Sequence, residues 1–329
     1  MTSQRGRQSV HEQLALFGRT EVLDAVGSAR ARRRVGWASE VLSHDSEEVA
    51  FLHAGFCMAA LPHRCPRDDL APWIRTNGRF KLAVWPGRML KADGSYIEIG
   101  VPYGTRARLI LLYLMTTAVK TRSRSVAMER SMSAWLRKIG LAVTGGPRGT
   151  IKPVREQALR ISRCALTLRF DDHDGHASLT DRRMVNGLHL WAADESNEWP
   201  EAVELTEEFF DHLLEHAVPL DEHAIARLKG SSLALDVYVW LSHRLPRLTG
   251  PVMLPWTRLM PQFGSQSGSR GSFAQNFREA LLDVLAVYPG ARVELHHGGI
   301  ELLPGPPATG CTSVSLHGLK LIEGRREPA

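Results

Sequence analysis

Two stretches of this chain run through the same order of local patterns, which leaves few folds open to it. In the first, an apolar helix spans Thr105 to Val119 and a shorter segment, Trp135 to Gly140, precedes the glycine-rich turn Gly145 to Gly149; a long helix follows, then the alternating strand residues Leu166, Leu168 and Phe170. In the second, Ser231 and Ser232 can cap a helix with the apolar stripe Leu233, Val237, Trp240, Leu241 and Leu245, stopped by Pro246. Trp256 to Gly264 then echoes Trp135 to Gly140, and a second glycine-rich turn runs from Gly264 to Gly271. A long helix and the strands Val293, Leu295 and Ile300, Leu302 follow, around His297-Gly298-Gly299. Arg155-Glu156 falls 123 residues before Arg278-Glu279. Helix, short helix, turn, long helix, hairpin is the order of a winged helix, and a duplication accounts for seeing it twice. The expected fold is α+β: two tandem winged-helix domains, mainly helical, with small antiparallel β-hairpins.

The long helix of each copy divides into a core side and a polar side. Phe273, Phe277, Ala280, Leu281, Val284 and Tyr288 gather in one narrow stripe at about 100° per residue. The other side carries Gln275, Arg278 and Glu279, with Ser272 and Asn276 at its margin and Arg270 just ahead. Gln, Asn and Arg are the side chains that make paired hydrogen bonds to adenine and guanine edges in the major groove. An ordinary solvated helix face has a similar composition. In the first copy Thr150 is placed to cap the helix, Pro153 lies in its first turn, and Ile151, Val154, Ala158, Ile161 and Ala165 form the buried stripe. Lys152, Arg155, Arg160 and Arg163 lie outside it, with Arg148 in the turn before. Such cations suit phosphate, whose contacts fix register and carry no sequence information. Glu156 stands four residues before Arg160, the spacing of a helix-surface ion pair.

Charge is segregated along the chain. Residues 120 to 169 hold 12 Lys and Arg against 2 Glu, which leaves the remainder at −4 within a total of +6. Between Arg183 and Arg227 there is no cation, while acidic residues recur from Asp194 to Glu222. Positive potential confined to one block points to a polyanionic partner. The longest apolar run, Leu109 to Met115, is far shorter than the roughly 20 residues of a membrane span, and the start of the chain lacks an apolar leader, so a cytoplasmic protein without membrane contact is expected.

Catalytic and metal chemistry finds little support. Thr144 to Thr150 resembles a phosphate-binding loop only in its glycines, since it has no lysine. No pair of histidines flanks an apolar residue in the manner of a nicking enzyme's metal site. The four cysteines form no C-x-x-C. His53, Cys57, His63 and Cys65 are zinc-type ligands at irregular spacing beside Pro62 and Pro66, and His173 and His176 sit among aspartates in an expected wing loop. The expectation is no catalytic residue, no metal and no cofactor.

Four regions follow: a basic, partly disordered arm over 1–50 with one or two short helices and the arginines Arg30, Arg32, Arg33 and Arg34; a first winged-helix domain over 51–222; a second over 223–307; and a tail over 308–329. Within the first domain, Leu82 and Val84 before Pro86-Gly87, then Ile97, Ile99 and Val101 after Asp93-Gly94-Ser95, read as a β-hairpin.

Leu61 to Arg64, Val101 to Leu109, Ser131 to Gly140 and Thr144-Gly145-Gly146 followed by Arg148 to Ile151 resemble, in that order, the plasmid-encoded RepA replication protein family, with the likeness running from about Phe51 to Pro307. The resemblance implies binding to repeated double-stranded sites at a plasmid origin, local duplex opening, and recruitment of the host replication initiator and helicase proteins. It also implies a homodimer that represses its own promoter and a monomer that starts replication. In related initiators the C-terminal winged helix dominates base reading, which points to Arg270, Ser272, Gln275, Asn276 and Arg278. A transcriptional repressor of the same fold without a replication role is the alternative.

Overall fold

A computed structural model of the chain describes residues 9–43, 48–91, 93–146, 149–171, 177–186, 202–264 and 269–309. In chain order the elements begin with α1 (Val10–Ala25), α2 (Ala29–Ser43), β1 (Val49–His53), α3 (Ala54–Met58), β2 (Trp73–Asn77), β3 (Phe80–Trp85), β4 (Gly87–Leu90) and β5 (Tyr96–Ile99). The middle of the chain forms α4 (Gly104–Thr121), β6 (Ser125–Ala127), α5 (Met132–Lys138), α6 (Ile151–Arg163), β7 (Ala165–Asp171), β8 (Ala177–Arg183), β9 (Val185–Asn186), β10 (Ala202–Leu205), α7 (Glu207–His216) and β11 (Ala217–Asp221). The last third forms α8 (Glu222–Leu228), α9 (Ser232–Arg244), β12 (Val252–Pro255), α10 (Trp256–Phe263), α11 (Arg270–Val287), β13 (Val293–Leu295) and β14 (Gly299–Leu302). The fold is α+β, helices with small antiparallel sheets.

The chain divides into two compact units, one of residues 1–50, 219–260 and 268–329, the other of residues 51–218 and 261–267. The first of these units is built on α9 and α11. Ser231 starts α9 as expected, its Oγ accepting from Ala234 N at 3.2 Å. Val237, Tyr238, Trp240 and Leu241 of α9 are buried, as are Phe277, Leu281 and Val284 of α11. Within the arm expected to hold one or two short helices, α1 spans 16 residues with a kink at Gly18, where φ is 74°, and α2 spans 15. Ser9 and Glu12 close a reciprocal capping box at the head of α1, and Leu14, Val22, Val35 and Ala38 make a small core between the two helices. The arginine count of α2 masks that thin apolar stripe in the sequence.

His243, on the last turn of α9, is mostly withdrawn from water beside Arg247 and Arg244. Burial first, then those two cations, push its pKa down to about 4. The unfolded imidazole titrates near 6.5 and the folded one lower, so its stabilising contribution is complete above about pH 6.5 and is lost as pH falls toward 4. Urea unfolding at pH 7 and pH 4.5 is expected to show a loss about 2–3 kcal/mol smaller in His243→Gln than in the parent chain.

The second unit carries α4 through its middle. Leu109, Ile110, Leu111, Leu112, Leu114 and Met115 are all buried, the pattern of a central helix. Arg108 is buried with them and donates to the carbonyls of Leu61, Pro62 and Gly104, which satisfies its polar head there. A four-stranded antiparallel sheet runs in the order β2-β3-β7-β8, with Leu82 opposite Leu168 and Val84 opposite Leu166. The hairpin expected from Phe80 onward is therefore split. β3 joins that sheet, while β4 and β5 pair separately with Met89 opposite Ile97. The break comes at Pro86-Gly87, where the backbone is pressed so close to Arg163 that a Cβ on Gly87 would lie 2.2 Å from the Arg163 carbonyl oxygen.

The repeated order reappears as topology. In one unit β12, β14 and β13 form a sheet in that order; in the other, β6, β10 and β9 do the same. Each time the strand ahead of the short helix lies beside the last strand, and the middle one is outermost. This relocates one expectation. Leu166, Leu168 and Phe170 lie on β7, which pairs with β3 and β8, so the counterpart of the β13–β14 hairpin is β9–β10. Alternation and turn-rich flanks mark any antiparallel pair, and they do not say which sheet a pair joins.

Candidate nucleic-acid interface

α11 begins at Ser269, whose Oγ accepts from Ser272 N at 3.2 Å. Phe273 and Phe277 turn inward against Trp256, with ring centroids 6.4 and 5.8 Å away. This anchors the helix in its own core and leaves Arg270, Gly271, Ser272, Gln275 and Asn276 exposed on the other side. The amide side chains stand on consecutive positions of an eighteen-residue helix and form no hydrogen bond to a described residue, so they are available to a ligand.

Arg278 is placed differently from its neighbours. Its guanidinium lies over the Trp256 ring, 5.1 Å from the centroid, and donates to the carbonyls of His296 and His297 at 3.4 and 3.3 Å. Trp256 Nε1 donates to the same His297 carbonyl at 2.9 Å. Arg278 therefore ties the turn of the β13–β14 hairpin to α11, and a base contact by its remaining donors would be made from this anchored position.

A third side of α11 is covered by α2. Arg34 donates through Nη2 to Glu279 Oε2 at 2.6 Å and through Nε to Asp283 Oδ1 at 2.7 Å. Arg30 reaches Glu279 Oε2 at 3.2 Å and also pairs with Asp283. The hydrogen bond to Asp283 is the main reason the Arg30 pKa lies above its ordinary value. Arg30 and Arg34 are thus committed to protein carboxylates, whereas Arg32 and Arg33 remain exposed. The signal in the sequence was a matched spacing: two arginines four apart and two acids four apart.

In the other unit α6 sorts its cations in the same way. Lys152 and Arg155 are exposed. Arg160 is not: its side chain is only 13% exposed, held by Asp69 Oδ2 at 2.6 Å, the Val101 carbonyl at 3.0 Å and Glu156 at 3.0 Å. The i,i+4 pairing of Glu156 with Arg160 is the one its spacing suggested, and it takes Arg160 out of the exposed set. Arg163 is half-buried, and burial, then repulsion from Arg183, lowers its pKa. Arg148, His173 and His176 lie outside the described residues. Thr150 precedes α6, but its hydroxyl donates to the Ala142 carbonyl at 2.6 Å in place of capping the helix. Gly149 lies so close to the Thr144 backbone that a Cβ on it would meet that carbonyl oxygen at 2.3 Å.

The zinc-type residues near the start of this unit do separate work. His53 Nδ1 accepts from Gly55 N at 2.9 Å and its Nε2 is 2.7 Å from His212 Nδ1; His63 Nε2 is 2.9 Å from the Phe263 carbonyl. Cys57 is buried and Cys65 exposed. Among the described residues no helix is long and apolar enough to cross a membrane.

Fold and surface together define an α+β protein in which a helix-and-hairpin unit occurs twice, with an open polar helix face on the second. Residues 101–257, just under half of the chain, match the model of the plasmid encoded RepA protein family. This segment runs from the head of α4 into α10 and contains the motifs at Val101 to Leu109 and Thr144 to Ile151; over it the chain is similar to that family. No curated protein matches the chain. Two solved structures of domains 2 and 3 of RctB are similar at the level of TM-score 0.46 with 11% identity, covering 75% of this chain and 96% of that one, and TM-score 0.45 with 13% identity, covering 76% and 96%.

Proposed function

We propose that this protein is a plasmid replication initiator that binds repeated duplex sites at the plasmid origin and recruits the host replication initiator and helicase proteins, with no chemistry of its own. The observation that carries the reading is the exposed Arg270, Ser272, Gln275 and Asn276 edge of α11, backed by a closed aromatic core and adjoined by a hairpin. Such a face supplies donors and acceptors for base edges in the major groove. The RepA family match over residues 101–257 supports the origin as the place of action. Lys152 and Arg155 add sequence-independent contacts to phosphate, a second and weaker hold on the duplex. On this reading the protein acts in the cytosol, and a homodimer represses its own promoter while the monomer starts replication.

The deciding experiment is transformation with a marker plasmid that carries only the origin fragment. Stable replication is expected when this chain is supplied in trans and none when it is withheld. Equal replication in both cases would reduce the protein to a repressor of the same fold.

A further inference from the structure

The outward face of the β13–β14 hairpin brings together three groups that ligate cations. Glu294 and Glu301 are direct cross-strand partners, so two carboxylates stand opposite each other, an arrangement that destabilises an antiparallel pair. His296 lies two positions beyond Glu294 and hence on the same face. Its partner across the turn is Gly299, whose carbonyl accepts from His296 N at 3.0 Å. Gly299 is itself held 2.1 Å, measured from where a Cβ would stand, from the Leu254 carbonyl oxygen, so no side chain can occupy the place across from the imidazole. His296 Nε2 is 3.4 Å from Glu301 Oε2, is screened from solvent and has no hydrogen-bond partner. The donor atoms of all three residues lie within 4.8 Å of one another. Two ligands on one tetrahedral ion with bonds of about 2.0–2.1 Å stand about 3.4 Å apart, so the His296–Glu301 spacing already matches an edge of such a site.

We propose that Glu294, His296 and Glu301 form a binding site for a divalent transition-metal ion of the zinc type. One imidazole with two carboxylates suits a borderline ion, whereas magnesium and calcium favour all-oxygen shells. Three protein ligands leave a fourth position to water. The ion offsets the repulsion between the facing carboxylates and changes a doubly negative hairpin face into a neutral one. If the chain holds DNA as proposed above, that change lets the hairpin approach phosphate beside α11; the metal site itself does not depend on that reading.

The test uses the full chain, stripped with a chelator and titrated with zinc by calorimetry in the absence of DNA. One zinc per chain in the micromolar range is expected, without competition from millimolar magnesium. Glu301→Gln and His296→Asn each remove a direct ligand and are expected to weaken binding by more than the roughly 10–100-fold that outer-shell partners contribute. In the unaltered chain, the imidazole resonances of His296, assigned by their loss in His296→Asn, are expected to move on zinc addition. Zinc binding of undiminished affinity in both variants, binding only at millimolar zinc, or unmoved His296 resonances would each overturn the assignment. Because the titration contains no DNA, its failure leaves the α11 reading untouched.

Discussion

Replacing Arg34 with Ala is expected to destabilise the unit built on α9 and α11 by about 2–3 kcal/mol, the largest single stability effect among the residues of α2. The cost comes from what is left behind. The Asp283 side chain is 5% exposed and sits on α11 against α2, while Arg34 is 14% exposed. Removing a partner from a withdrawn pair strands a charge in a poorly solvated place, which costs more than the pair itself contributes. Arg30, at 42% exposure, still reaches Asp283 and keeps the loss below the upper end of that range. Removing both charges as Arg34→Met with Asp283→Leu is expected to restore most of the stability, since no ion is then buried alone. Urea midpoints for the parent, both single variants and the double variant complete the cycle. A loss under about 0.5 kcal/mol in Arg34→Ala would mean that α2 does not cover α11 through these residues.

That clamp joins residues whose pairing no local pattern encodes. The second repeat was legible because its signals are local: the Ser231 cap, the Phe273 to Val284 stripe and the strands on either side of His297-Gly298 all lie within the span of their own elements. The exposed side of α11 followed from the buried side by helical geometry alone. Arg160 and Arg30 could not be placed that way, because their partners are 91 and 253 residues distant in sequence. A cation on a polar helix face looks the same whether solvent, phosphate or a distant aspartate faces it. The strand pairings are non-local in the same way. β3, β4, β5 and β7 each show ordinary alternation, which does not say that β3 pairs with β7 while β4 pairs with β5. Polar anchoring was equally hidden: Gln157 falls on the buried side of α6 because its Oε1 accepts from Tyr103 N at 2.8 Å.

Exchanging Gln275 and Asn276 together for Ala is expected to lower affinity for the cognate origin repeat by about 30-fold or more, taking about 1–3 kcal/mol for each well-formed base contact. Both side chains are exposed and neither holds the core, so the thermal unfolding of this variant should match the parent's. Arg278→Ala cannot serve as the first probe, since it also releases the hairpin turn at His296 and His297 from α11. Lys152→Ala with Arg155→Ala gives the contrast. Affinity for cognate and unrelated duplexes should then fall alike, and the slope of log K against log salt should flatten by about 0.9 for each phosphate that is no longer neutralised. The two variants separate the roles by the form of the loss as well as its size: a bond to a base edge distinguishes sequences at any salt, and a bond to phosphate distinguishes none. Equal losses on cognate and unrelated DNA in the Gln275/Asn276 variant would show that α11 meets the backbone and that bases are read elsewhere. An unchanged salt slope in the Lys152/Arg155 variant would remove α6 from the interface and leave the basic block between residues 120 and 169 needing another partner.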